Sequence, residues 1–247
     1  MKRLTEEQIE HSLIRARKIA KRESRKLSGG RRMLQPMRVF SRVRIPAPAS
    51  LDLFNTKNYK LFIEFITLIR DYINDGEKIL IDFRNTKSLK ACAVIVLYAH
   101  IDFLQRQTKD KNIISITTCG SSRANNWFKI CGIWGITGFQ RIAADKLNSM
   151  EIVSAVAGKT RDDHESAEAR QKIKNILRYI KDTIYEGKIS ASDGVKLYAA
   201  LTESISNVGL HAYSNEEQFS EFIEDIGKRW WILAHKVEEQ LFLMVYD

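Results

Sequence analysis

Cysteine is scarce in this chain: Cys92, Cys119 and Cys131 are the only three, an odd number, and no two form a C-x-x-C pair. That pattern argues against a thiolate metal clip or a dithiol redox motif, and the thiols are expected to be reduced and mostly buried. Long apolar runs are also missing. The longest, around Ala91 to Ala99, is well short of the ~18 residues of a membrane span, and no apolar stretch follows the basic residues at the N-terminus. A cytosolic protein is therefore expected. Proline is rare, and Pro36, Pro46 and Pro48 fall close together. Because proline cannot donate to a sheet ladder, that stretch is expected to be a linker or an edge strand.

What is present is enough apolar material for a real core. A hydrophobic fraction of 44% over 247 residues argues against general disorder and fits two domains. The net charge of +10 is confined to one end, since residues 1–44 hold fourteen Lys or Arg against four Glu, and the remainder is balanced at 26 of each sign. Such an arm can attract nucleic acid, anionic lipid or an acidic protein face, or it can be a solvated helix. No recognised nucleic-acid-binding motif accompanies the charge.

Along the chain, Ile9, Leu13, Ala16, Ile19 and Ala20 predict a helix from Leu4 to Leu27, opened by a Thr5/Gln8 capping box and closed near Ser28, Gly29 and Gly30. From Val39 to Phe139 strands and helices alternate, the pattern of an α/β layer. A helix from Tyr59 to Ile73 carries Phe62, Phe65, Ile66, Ile69 and Ile73 on one face and stops at Asp75-Gly76. Ile79 to Phe83 is expected as an interior strand, Lys90 to Gln107 as a helix apolar nearly all round, and Asn112 to Thr117 as a short strand. Ser121 is expected to cap a further helix to Cys131. The chain is expected to divide into a basic helical arm (1–35), an α/β domain (36–140), a linker (141–162) and a C-terminal domain (163–247).

Ile79-Leu-Ile-Asp82-Phe83, followed by Asn85 to Ala93, resembles the STAS domain (sulfate transporter and anti-sigma antagonist), in which a strand ending in Asp leads through a short loop into a helix with a regulatory N-terminus. In the anti-sigma antagonists a serine of that loop accepts a phosphoryl group. Here the corresponding place reads Lys90-Ala91-Cys92-Ala93, and Ala91 has no hydroxyl to phosphorylate; Thr86 and Ser88 are nearby hydroxyls to which the resemblance transfers no role. A plain α/β packing domain without a switch is the alternative.

In the C-terminal part a helix is expected from Ala167 to Glu186, with Ile173, Ile176, Leu177, Ile180 and Ile184 on its buried side. A second helix follows Ser192-Asp193 and runs through Glu203, Asn207 and His211 to Tyr213. Those three polar residues sit at i, i+4 and i+8, so each lies one turn beyond the last on nearly the same face, while Leu201, Ile205, Val208 and Leu210 can pack the helix onto a sheet. A nucleotide site can use such a stripe, with an Asn oxygen for hydrated Mg²⁺ and a carboxylate to orient an attacking water or hydroxyl. An amphipathic helix whose polar face merely meets water is the alternative. Two strands, Trp230 to Lys236 and Gln240 to Tyr246, are expected next, joined across Val237-Glu238-Glu239 and ending at Asp247.

The string E-S-I-S-N-V-G-L-H-A-Y from Glu203 to Tyr213 is similar to the N box of GHKL (Bergerat-fold, histidine-kinase-like) ATPases, nearest to that of the anti-sigma-factor serine kinases. The resemblance implies ATP and Mg²⁺ as cofactors, Glu203 as the catalytic carboxylate, Asn207 as the Mg²⁺ ligand, His211 close to the phosphates, and Asp247 as the first residue of a D-x-G-x-G box that receives the adenine amino group. It also implies the N-terminal half of an α/β-sandwich ATPase domain, expected to be a fragment or degenerate because the glycines and lid would lie beyond Asp247. The function implied is an ATP-binding regulator in bacterial signalling or partner switching, an ATPase or protein serine/threonine kinase if the domain is complete, with a protein partner or a second copy of the chain. The alternative is a non-catalytic scaffold whose basic arm contacts nucleic acid or an acidic protein. Gly158-Lys159-Thr160 lacks the first glycine of a P-loop, because Val153 stands there, and is expected to be linker. His164 and His235 have no companions at metal spacing.

Overall fold

A computed structural model describes residues 37–139, 150–156, 164–210, 229–238 and 240–247. The expected arm and its helix Leu4 to Leu27, the Gly158-Lys159-Thr160 stretch, His211 and Tyr213 lie outside the described residues. What is described is a mixed α/β chain with three sheets.

The first sheet has four strands in the order β1-β2-β4-β6: β1 (Arg38–Val39), β2 (Arg42–Pro46), β4 (Ile79–Asp82) and β6 (Ile114–Ile116). β1 and β2 are antiparallel, and β2, β4 and β6 run parallel, with Ile45 opposite Ile81 and Ile81 opposite Ile116. Parallel strands need crossovers, and α1 (Thr56–Asn74) and α2 (Ala91–Gln107) provide them. The stripe expected on α1, Phe62, Phe65, Ile66, Ile69 and Ile73, is the set it buries. Asn55 caps α1 by accepting from the N–H groups of Lys57 and Asn58. Gly76, at φ +79, takes the chain out of the helix. A two-stranded pair, β3 (Ser50–Leu51) and β5 (Ser88–Leu89), lies beside this sheet, and α3 (Ser122–Ile130) and α4 (Ile133–Ile136) complete the segment.

The proline-containing stretch differs from expectation. β2 is an interior strand between β1 and β4, not a linker or an edge. Pro46 occupies its last position, where the ladder no longer asks for a donor, and this is how an interior strand accommodates it.

The third sheet is antiparallel, ordered β7 (Val153–Val156), β8 (Arg229–Val237), β9 (Gln240–Tyr246). Four residues assigned to a linker by the sequence are thus a strand, with Ala155 opposite Trp230. α5 (His164–Tyr179), prolonged by a π-helical turn (Ile180–Ile184), and α6 (Ala191–Leu210) cover one face, burying Ala155, Trp230 and Ile232 with Ile173, Ile176, Ile180, Leu201 and Ile205. The other face turns Trp231 and Leu233 into the core of the first segment, with Met244 and Tyr246 packed against it.

That second burial explains why α2 is apolar nearly all round: α1 flanks it on one side and β8 and β9 on another. At the junction Asp102 of α2 accepts from Trp231 Nε1 at 3.0 Å and Arg106 Nε at 2.9 Å. A buried indole N–H without an acceptor would cost about 1–3 kcal/mol, so this carboxylate fixes how the sheet sits on the helix. Among the described residues no helix is long and apolar enough to cross a membrane.

Candidate functional site

α6 begins at Ala191, three residues before the start expected after Ser192-Asp193, and the reason is local. Ser190 Oγ accepts from the Asp193 N–H at 3.0 Å and donates to its carboxylate at 2.7 Å, a reciprocal cap that also places an acid at the positive end of the helix. Leu201 and Ile205, one turn apart, are buried against the third sheet. Glu203 and Asn207, displaced by two residues from that pair, project from the exposed side, so the helix separates its anchor from its polar stripe. His211, the third member of the stripe, lies outside the described residues.

The hairpin that follows has the expected strands. Its alternation places Trp230 and Ile232 of β8 and Leu241, Leu243 and Val245 of β9 on the face covered by α5 and α6. Trp231 pairs with Tyr246, so continuing the register by one residue sets Asp247 opposite Trp230 on that same face, where it is exposed. Glu203 and Asn207 therefore stand on α6, and Asp247 emerges at the end of a strand on the face that α6 covers.

The strand-loop-helix unit in the first segment is a locked turn. The Arg84 side chain donates to both oxygens of Asp82, at 2.8 and 2.9 Å, and Arg44 Nε donates to Asp82 Oδ2 at 2.6 Å. The hydrogen bonds from the Arg84 side chain, against the opposing effect of burial and with help from the Arg84 backbone and Arg44, hold this carboxyl well below the usual carboxylate range. Thr86 is fully buried and donates to the Pro48 carbonyl at 2.8 Å, whereas Ser88 is exposed. Ala91 opens α2 without a hydroxyl.

Next to that turn lies a cavity of about 190 Å³, with Lys87, Ser88 and Lys90 on one side and Arg123, Ala124 and Trp127 on the other. The sequence does not point to it, because its two halves are more than thirty residues apart and meet only when α3 folds against β5. Cys119 and Cys131 are buried, and burial pushes each thiol up to about 12. His235 is half-buried against the Trp127 ring, with centroids 4.7 Å apart.

No family model, curated protein or solved structure matches the chain.

Proposed function

We propose that the chain is an ATP-binding regulatory protein of the GHKL class, with a STAS-like unit ahead of a GHKL-type ATP-binding unit, working in the cytoplasm in bacterial partner switching. One observation carries the reading: the helix that bears the N-box-like string turns Glu203 and Asn207 outward while Leu201 and Ile205 anchor it to a sheet. The order of elements supports it too: among the described residues β7, α5, α6, β8 and β9 follow one another, and Asp247 comes directly after the last residue of β9. The STAS-like part of the proposal rests on β4 ending in Asp82, the locked turn, and the start of α2.

The donor set on α6 fits a hydrated Mg²⁺, an ion that needs only one or two protein oxygens. When bound, the ion would neutralise phosphate charge. The Asn207 amide oxygen would hold it, the Glu203 carboxylate would orient a water or a protein hydroxyl and take its proton, and His211 would stand near the phosphates. Asp247 would accept from the adenine amino group. Asn207 comes from the outward face, so replacing it removes a ligand without opening the core. Calorimetric titration of the full-length protein with Mg-ATP should give saturable binding, and Asn207→Ala should abolish it. Unchanged affinity in Asn207→Ala refutes the assignment.

A further inference from the structure

We infer that the cavity between the beginnings of α2 and α3 is a binding site for a phosphate group, free or carried as a monoester, separate from the proposed nucleotide helix α6. Lys87, Lys90 and Arg123 line it, and among the described residues no acidic one does. Among the described residues none of these three cations enters an ion pair, although eight other pairs form elsewhere. Three like charges brought together around one concavity repel each other, and a bound anion relieves that repulsion.

The backbone adds to the same field. α2 starts after Lys90 and α3 after Ser121; neither cap residue supplies a side-chain acceptor, and neither helix has an acid in its first turn. The positive ends of a 17-residue and a 9-residue helix thus border one cavity whose wall is already cationic. The walls are fixed before any ligand arrives. Lys87 and Lys90 donate their backbone N–H groups to Ala49 and Leu51 at 2.8 and 2.9 Å, and the Asn125 side chain ties both backbone polar groups of Cys119 at 2.7 and 3.0 Å. A Cβ on Gly120 would collide with the Arg84 carbonyl, so only glycine lets the loop before α3 pack this closely.

Size selects the ligand. At about 190 Å³ the cavity is smaller than the ~300 to 1,000 Å³ of drug-sized pockets, so it suits a phosphate with a short substituent better than a nucleotide. Arg123 offers a planar fork for two phosphate oxygens, and the lysines add point charges. The phosphate proposed is an external one, the free ion or a phosphorylated hydroxyl side chain presented to the cavity, and the exposed Ser88 hydroxyl in the wall can donate to it.

Titrating the whole chain with orthophosphate and separately with O-phospho-L-serine, by calorimetry and by shifts of the amide resonances of residues 87–91 and 121–127, tests the site. One saturable site is expected, weakened about tenfold or more in Lys90→Gln and in Arg123→Gln. Lys57→Gln and Asn207→Ala should leave it unchanged, so its fate is separable from that of the ATP reading. Tighter binding of phosphoserine assigns the phosphate to a modified side chain; equal or weaker binding assigns it to the free ion. No saturation by either at low ionic strength, or binding that survives the double substitution of Lys90 and Arg123, overturns the site.

Discussion

His100, half-buried on α2 and facing the Tyr246 ring, makes the fold sensitive to mild acid. Burial, and then the nearby positive charge of Arg70, lower its pKa to about 4, against 6.5 for an ordinary histidine. Between those two values the unfolded chain binds the proton and the folded chain does not, so stability falls as pH drops through that window. We expect denaturant-derived stability to decline by roughly 1–2 kcal/mol from pH 7 to pH 4.5, and His100→Gln to flatten the decline. An unchanged slope would show that another group takes the proton. Asp82 works lower: its depressed pKa stabilises the fold above the unfolded carboxylate value, near 4, and that contribution is lost as pH falls further. The buried thiols were legible from cysteine spacing alone, whereas the three cations of the cavity were not, because nothing in a lysine says which of its distant neighbours will approach it.

At the scale of elements, α6 shows what periodicity can and cannot reveal. Its buried pair and its outward stripe follow from a 3.6-residue repeat, so both were readable before any coordinates. Leu201→Ala should cost about 2–4 kcal/mol in chemical denaturation, because a fully buried side chain leaves a cavity against Trp230 and Ile232. Glu203→Ala should stay within about 0.5 kcal/mol. Equal costs would mean the helix is rotated from the orientation described. α1, α2 and the β8–β9 hairpin were legible for the same reason, long stretches with one clear period. β7 was not: it is only four residues long and carries Ser154 in its middle, too short a stretch to show a period, so only its pairing with β8 makes it a strand. The β1–β2 turn escaped because Phe40 and Ser41, at φ 48 and 63, adopt left-handed backbone without the glycine that would announce it.

Over the whole molecule, α2 is the element that joins the parts. Its Asp102 is pinned to Trp231 on one face of the third sheet, α6 packs on the opposite face, and its first turn borders the cationic cavity. A ligand that shifted α6 would act on β8, and through Trp231 on α2, a contiguous chain of packed side chains. The α/β elements of both parts are legible in the sequence, but the junction, where a linker is expected, is not, since burial shared between two sheets and a helix leaves no local signature. The most direct test of the nucleotide reading is to locate the metal. With Mn²⁺-ATP in place of Mg²⁺-ATP bound to the full-length protein, the amide resonances from Glu203 to Asn207 should broaden first, and Asn207→Ala should remove the effect. Sharp α6 resonances beside broadening elsewhere would contradict the account.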